Sequence, residues 1–211
     1  MYNLPYFKEE DKEVVIQFAK DYPFAFLSGC SFDNKPVVTQ VPVFTDERDG
    51  KLFLSGHIMK NTDHHKAFLQ NDNVLAVFTG PHVYVSGSWY DNPQQASTWN
   101  YMSVHAKGKI KFGGGEELIA ILKRLTLHYE NGNTESATIY DNLSPAYIEP
   151  LLKAIVSFEI EVESMENVFK LSQNRNEKSY NNIIAELKKQ EGDGKKIAEI
   201  MEQRKSKLFQ S

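Results

Sequence analysis

The chain has only one cysteine, Cys30, among its 211 residues. A single thiol excludes an internal disulfide and a zinc site built from several cysteines. The chain also lacks an excess of positive charge, because 28 acidic residues outnumber 24 basic ones and the formal net charge is −4. Proteins that bind nucleic acid through their own electrostatic field are typically basic. DNA is therefore a possible partner that the charge does not support.

Long apolar runs are absent as well. No stretch approaches the ~20 apolar residues that a helix needs to cross a bilayer, and the first residues lack the pattern of a secretory signal. We therefore expect a cytoplasmic protein without a membrane partner. Hydrophobic residues still make up 41% of the chain and aromatic residues 12%, enough for a substantial core or for a site that stacks a flat ligand.

Apolar and polar residues alternate over several short stretches that turn residues separate. On the longest stretch, the face assigned to the core consists of Met102, Val104, Ala106, Ile110 and Phe112. We predict strands over Phe24–Ser31, Pro36–Phe44, Lys51–Ser55, Asn73–Thr79, His82–Gly87, Thr98–Phe112 and Ile155–Glu163. Half-buried strands of this kind are typical of antiparallel sheets. The predicted fold class is therefore mainly β with peripheral helices, an α+β fold.

Helical periodicity and capping residues predict helices between the strands. The predicted helices are Glu9–Lys20 with Val14, Val15 and Phe18 inward, one from Thr62, Glu116–Tyr129, and one from Ser144 that Pro150 should break or kink. The sequence becomes polar and helical after Leu171, with two further helices at about Glu177–Gln190 and Lys195–Lys207. We therefore expect a barrel domain over residues 1–170 and a helical extension over residues 171–211.

The stretch from Ser55 to Thr62 is the first candidate site. A strand reaches Gly56, Lys60 adds a positive charge, and a helix begins at the plausible N-cap Thr62. Free backbone N–H groups and the positive end of a helix attract anions, so a phosphate monoester could bind at this junction. An ordinary strand-to-helix loop explains the same residues equally well.

Aromatic residues on the longest strand are the second candidate site. Trp99, Tyr101 and His105 alternate with the core residues and point away from the core. Large aromatic side chains in that position need cover from a second subunit or from a flat ligand. On the pattern alone a plain dimer interface is the better explanation. An interface that also contains a cofactor would combine the two kinds of cover, a second subunit and a flat ligand.

Several motifs together resemble the PaiB family. They are Gly56-His57-Ile58 with a basic residue at 60, Gly80-Pro81-His82-x-Tyr84-x-Ser86, Ser88-Trp89-Tyr90, Thr98-Trp99-Asn100-Tyr101-x-x-Val104-His105, Gly108 and Phe169-Lys170-Leu171-Ser172-Gln173-Asn174-Arg175. They occur in the right order over nearly the whole chain. The PaiB family is described as flavin-binding transcriptional regulators and is similar to pyridoxamine-phosphate-oxidase-like split barrels.

The resemblance implies an antiparallel FMN-binding split β-barrel with a C-terminal helical extension, working as a homodimer with FMN at the subunit interface. It implies that the 55–62 junction takes the flavin phosphate and that the segment 40–42 lies along the ring. The 99–101 segment would close the site from the same or the other subunit. The implied cofactor-binding residues are Gln40, Val41, Pro42, Ser55, Gly56, His57, Lys60, Asn61, Thr62, Trp99, Asn100 and Tyr101.

The chain departs from the family pattern at three places. Lys60 stands where the family usually has arginine, which keeps the charge but loses the bidentate fork. An Asn-Pro-x-Trp-like helix start is replaced by Asn61-Thr62-Asp63-His64, and Asp63 close to a phosphate would repel it. Ser97 replaces the proline that usually precedes the Thr-Trp-Asn-Tyr motif. We expect these departures to weaken flavin binding.

Three functions remain open at this point. The first is a flavin-binding regulator, and the second is an FMN-dependent oxidoreductase or flavin reductase of the split-barrel type. The third is DNA binding by the two C-terminal helices as a helix-turn-helix, although interleaved acidic residues favour a packing or dimer role. We predict no metal site, because His64 and His65 are adjacent on a helix and point about 100° apart. The sequence identifies no catalytic residue.

Overall fold

The computed structural model describes residues 2, 4–92 and 94–209. The strands are β1 (Phe24–Cys30), β2 (Pro36–Pro42), β3 (Phe44–Arg48), β4 (Lys51–Met59), β5 (Asn73–Val85), β6 (Thr98–Phe112) and β7 (Ile155–Lys170). The α-helices are α1 (Lys12–Asp21), α2 (Asp63–Gln70), α3 (Gly115–Tyr129), α4 (Pro145–Ala154), α5 (Glu177–Leu187) and α6 (Asp193–Leu208). None of the helices in these described ranges combines the length and the apolar composition that a membrane span requires.

The chain divides into two compact units. The first unit comprises Met1–Tyr22, Phe78–Val104 and Glu166–Ser211, and the second comprises Pro23–Val77 and His105–Met165. The C-terminal helices α5 and α6 thus belong to the same unit as the N-terminal helix α1. The proposed domain boundary at residue 170 stays a prediction.

The seven strands form one sheet in the order β2-β1-β5-β6-β7-β4-β3. Strand β1 is antiparallel to β2 and β5, and β4 is antiparallel to β3 and β7. The edge strands β2 and β3 are separated in sequence only by Val43. Two strands joined by one residue cannot lie far apart, so the sheet curls until its two edges approach each other. The predicted antiparallel, mainly β fold is confirmed.

Several predicted strand limits were wrong. The predicted strand Pro36–Phe44 is two strands, because the chain bends at Val43, whose N–H donates to Pro23 O across 2.9 Å. The turn after it is confined to Asp49 and Gly50, which have φ angles of 52° and 74°. Strands β4 and β7 also continue past their predicted ends, whereas β6 has the predicted limits.

The strands predicted separately as Asn73–Thr79 and His82–Gly87 are one strand, because β5 runs through Gly80 and Pro81 without a turn. Gly80 provides close packing instead of a turn: a Cβ added there would lie 2.7 Å from Cε2 of Phe18. Pro81 lies beyond Val77, where the pairing of β5 with β1 ends, so its missing N–H group removes no hydrogen bond from that ladder.

Helix α1 begins three residues later than predicted. The side chain of Asp11 caps it by accepting a hydrogen bond from the Glu13 N–H across 2.9 Å. Val15 and Phe18 are buried as expected, but Val14 is exposed, so its assignment to the inward face was wrong.

Helix α4 continues through Pro150, contrary to the predicted break. Proline removes one intrahelical hydrogen bond, and α4 extends for four residues beyond it. The helix buries none of its side chains, and Tyr147 and Leu151 are exposed.

Helices α5 and α6 bury their apolar faces within the first unit. Ile183, Leu187, Ile197 and Met201 have no accessible surface. The hydroxyl of the buried Tyr180 donates to Met201 O across 2.9 Å, and burial raises the pKa of Tyr180 to about 12. This contact fixes the two helices against each other.

Candidate functional site

Strand β4 presents Ser55 and His57 on the face that points away from the core. Alternation along β4 buries Leu54 and Ile58, whereas Ser55 and His57 are half-buried. In the antiparallel ladder with β7, Ser55 lies opposite Glu159 and His57 lies opposite Ser157. The two candidate residues therefore share one surface with polar side chains from β7.

Two polar atoms on this surface have no hydrogen-bond partner among the described residues. They are His57 Nδ1 and Ser157 Oγ, and both are buried. Burial lowers the pKa of His57, so the imidazole is neutral at physiological pH and has one donor and one acceptor nitrogen. Because an unsatisfied buried polar group costs free energy, these two atoms need a water molecule or a polar group of a ligand.

A cavity of about 690 Å³ lies in the second unit, bounded by strands β3, β4 and β7, the end of β6, and helix α3. Ser55, Ser157 and Gly113 line it together with charged residues. The volume falls within the range of small-molecule sites.

Both arginines that line this cavity are held in ion pairs. Arg124 binds Asp46 with two hydrogen bonds of 2.5 and 2.8 Å, and its guanidinium lies 3.9 Å from the centre of the Phe44 ring. Arg48 pairs with Glu159 across 2.5 Å. Since each arginine already has a carboxylate partner, the cavity wall is polar without a strong net charge.

Gly56 faces the core and not the cavity. A Cβ at this position would lie 2.9 Å from both Phe158 Cζ and Pro42 O. The glycine therefore allows close packing inside the sheet, and only its backbone can take part in a site.

The helix start at Thr62 is confirmed, but two of its amides are not free. Thr62 is the N-cap of α2, and its Oγ1 accepts from the His65 N–H across 3.3 Å. The Asp63 carboxylate accepts from the His64 N–H across 2.8 Å, and this bond lowers the pKa of Asp63. The N–H groups of His64 and His65, which were expected to be free for an anion, are therefore already bonded to side chains of the helix start.

Lys60 and Asn61 form the link between β4 and α2. The Lys60 N–H donates to Ala154 O across 2.8 Å. Asn61 has a φ angle of 63°, and its N–H donates to His65 Nδ1 across 3.2 Å. The backbone of this link is therefore fixed, and the Lys60 ammonium is the cation that the link contributes.

Residues 40–42 lie on the edge strand β2. Gln40 pairs with Phe26 and Pro42 pairs with Phe24, so these side chains share one face of the sheet. Phe24 and Phe26 are exposed on it. Val41 is buried in the core, so only its backbone is available on the outer edge.

Trp99, Asn100 and Tyr101 belong to the first unit, whereas the other nine candidate residues belong to the second. Trp99 is 52% exposed, and its ring centre lies 6.1 Å from that of Tyr84 and 6.2 Å from that of His82. Tyr101 is half-buried, and its pKa is raised by burial and by the nearby Tyr2. Both aromatic side chains point away from the core, as the alternation predicted.

Asn100 points in the opposite direction and is fully buried. Its Oδ1 accepts from Ser172 Oγ across 2.9 Å, and its Nδ2 donates to Met201 Sδ across 3.5 Å. The amide is thus occupied by partners within the first unit, and Asn100 supports the strand from the side opposite to Trp99.

The sequence analysis missed Ser157, Arg48 and Arg124. Alternation of Val156, Phe158 and Ile160 would have placed Ser157 on the outer face of β7. Its position opposite His57 depends on the register between β4 and β7, which local periodicity does not contain.

Comparison with known proteins identifies the family. A family model described as "Putative FMN-binding domain" matches residues 1–164. Over 208 residues the chain is 35% identical to the "Protease synthase and sporulation protein PAI 2" of Bacillus subtilis, which covers 98% of this chain and 99% of that protein. The resemblance to the PaiB family is thereby confirmed.

Two solved structures share the fold at a TM-score of 0.55 each. The conserved hypothetical protein Rv2991 from Mycobacterium tuberculosis is 12% identical, and the match covers 81% of this chain and 91% of that one. The FAD and heme binding protein from Mycobacterium smegmatis is 16% identical, with 77% and 72% covered. The neighbouring folds are split barrels of the pyridoxamine-phosphate-oxidase type, as predicted. The chain therefore belongs to the FMN-binding domain family as a PaiB-like member, with FMN as its cofactor.

Proposed function

We propose that the chain is a flavin-binding PaiB-like regulator that works as a homodimer and binds the FMN phosphate beside Ser55, His57 and Lys60. The observation that carries this placement is the pair of buried polar atoms without partners, His57 Nδ1 and Ser157 Oγ, next to Ser55. Phosphate oxygens and ribityl hydroxyls are hydrogen-bonding groups of the kind these atoms need. FMN, when bound, supplies an isoalloxazine ring that can accept or donate electrons.

The phosphate end of this site depends on side chains and not on the helix start. The His64 and His65 amides of α2 are bonded to Asp63 and Thr62, so they contribute less to an anion than free amides at a helix terminus would. The Lys60 ammonium is then the main positive charge available, and the neutral His57 adds a donor without a second charge. Asn61 and Thr62 would act by holding Lys60 in place.

The ring end of the site is proposed along the edge strand β2. Gln40 lies on the exposed face that includes Phe24 and Phe26. An exposed apolar face of this kind is typical of an interface, which supports a second copy of the chain as its cover. We propose that Trp99 and Tyr101 of the second copy stack on the flavin at this interface, because both are aromatic and point away from the core.

A titration with FMN tests the proposal. Quenching of flavin fluorescence should give one FMN per chain and two per dimer, with the dimer established by analytical ultracentrifugation. The K60M variant should bind FMN about tenfold more weakly, since it loses one charge-assisted contact of ~1.4 kcal/mol. K66M, which removes an exposed lysine of α2, is the matched control and should bind as the parent does. A parent protein that leaves FMN fluorescence unchanged at high micromolar concentration contradicts the proposal.

The regulatory role rests on the family and not on DNA contacts by α5 and α6. Lys188 pairs with Glu202 across 2.7 Å, Lys189 with Glu186 across 2.6 Å, and Lys205 with Glu177 across 3.2 Å. Lysines that are already paired attract phosphates less than unpaired ones do, so these three pairs count against DNA binding by this region. A gel-shift series with the α5 and α6 lysines replaced in groups tests this point. Loss of DNA binding in those variants alone would assign the helices a DNA-binding role.

A further inference from the structure

The C-terminal signature, residues 169–175, contacts the segment that begins β6. Lys170 Nζ donates to Trp99 O across 2.7 Å and also to Thr98 Oγ1. Ser172 donates to Asn100 from the other side of the strand. Three consecutive residues of β6 are thus bonded to one short stretch more than 70 positions away in sequence.

Arg175 extends this contact to the loop that precedes β6. Its guanidinium lies 4.2 Å from the centre of the Tyr90 ring and donates to Gln95 Oε1. The loop is tight in its own right, since a Cβ at Gly87 would lie 2.2 Å from Gln95 O. The signature therefore fixes both the start of β6 and the loop leading into it.

We propose that Lys170 is a positioning residue that fixes the orientation of Trp99 for stacking on the flavin. This inference rests on the proposed function, because it gives Trp99 a role only if that side chain contacts FMN. The Trp99 side chain itself is half-exposed, and the centres of the neighbouring Tyr84 and His82 rings lie more than 6 Å from its own ring centre. A hydrogen bond can therefore fix Trp99 through its backbone, and Lys170 donates such a bond to Trp99 O.

A charged lysine at this position costs free energy of desolvation, which a merely structural contact would not require. Lys170 is half-buried and forms no ion pair within the described part of the chain, so no carboxylate offsets its desolvation. Burial lowers its pKa, and the neighbouring Arg175 lowers it further. The ammonium is retained despite these costs because it offers several donors at once, which a neutral side chain of the same length cannot do.

Trp99 itself reports on this contact. The chain has two tryptophans, Trp89 and Trp99, so a W89F background leaves Trp99 as the sole indole emitter. In flavin-free protein, K170M should raise the acrylamide quenching constant of Trp99 by about twofold, because the indole is 52% exposed when held and approaches full exposure when released. K170R should restore the parent value, since it keeps a charged donor. K109M, which removes a strand lysine paired with Asp72 in the second unit, is the matched control.

The FMN titration is a separate measurement. K170M should bind FMN about tenfold more weakly than the W89F parent, whereas K109M should not differ from it. If the parent binds no FMN, the proposed function fails while the quenching of Trp99 still tests the contact with Lys170.

An unchanged quenching constant in folded K170M overturns the inference. If circular dichroism shows that K170M does not fold, T98V replaces it, because valine keeps the shape of threonine and removes one acceptor of Lys170. T98V should raise the quenching constant in the same direction by a smaller factor, and no change in T98V would equally overturn the inference.

Discussion

Ser172 Oγ donates a hydrogen bond to Asn100 Oδ1 across 2.9 Å, and both residues are buried in the first unit. Ser172 adopts a φ angle of 61°, a left-handed conformation that costs a residue with a Cβ about 1 kcal/mol. The hydrogen bond and the left-handed backbone conformation both belong to Ser172. Two substitutions of this residue separate their contributions to the free energy of unfolding.

We expect S172A to destabilise the protein by about 2 kcal/mol, because it leaves a buried amide oxygen of Asn100 without its donor and keeps the strained backbone. S172G also loses the hydrogen bond but accepts the left-handed conformation, so it should be about 1 kcal/mol more stable than S172A. Urea denaturation followed by circular dichroism measures both. A glycine variant that is no more stable than the alanine variant would contradict the presence of backbone strain.

Gly108 in β6 allows a close approach of β7, because a Cβ there would lie 2.1 Å from Glu161 O. A backbone oxygen cannot move aside without disturbing the ladder, so we expect G108A to destabilise the protein by about 3 kcal/mol. G115A is the matched control: no atom lies within 4 Å of its added Cβ, and it begins α3. It should stabilise the protein by roughly 0.5 kcal/mol. Equal midpoints for the two variants in thermal denaturation would show that β6 and β7 are not so close at Gly108.

His57 should make folding sensitive to acid. Burial lowers its pKa in the folded state below the ordinary value of about 6.5. The unfolded chain therefore binds the proton more readily, and the stability present above pH ~6.5 is lost as the pH falls through the lowered pKa of the folded state. H57Q cannot be protonated and should lose less stability between pH 7 and pH 5 in urea denaturation.

The exposed His128 supplies the control for this pH dependence. H128Q should follow the parent at both pH values, because His128 lies on the surface of α3. A parent-like acid sensitivity in H57Q would mean that another group determines it.

The sequence predicted those features that depend on local spacing. The limits of β6, the outward direction of Trp99 and Tyr101, and the N-cap at Thr62 each follow from alternation or capping and were confirmed. Gly80 was misread because its role is to admit Phe18, and a packing role cannot be distinguished from a turn in the sequence. The sequence was equally unable to show how the residues of the candidate site pack against one another.

Contacts between distant segments could not be predicted. The pairing of His57 with Ser157 and the bonds from Lys170 to the start of β6 depend on strand register and tertiary packing. The signature around Lys170 was visible as a motif, but its partners in the segment 98–100 were not. The occupied amides of α2 are a further case, because Asp63 satisfies its neighbour's N–H only in the folded geometry.

Lys60 determines how strongly the phosphate end of the proposed site can attract FMN. Arginine at this position would restore the planar fork that matches a phosphate with two parallel hydrogen bonds. We expect K60R to bind FMN about tenfold more tightly than the parent, a gain of ~1.4 kcal/mol. Riboflavin lacks the phosphate, so its affinity should be the same in K60R, K60M and the parent. Parallel fluorescence titrations with FMN and riboflavin measure the difference. An equal change for both ligands would place Lys60 beside the ring or the ribityl chain and not beside the phosphate, because those are the parts that the two ligands share.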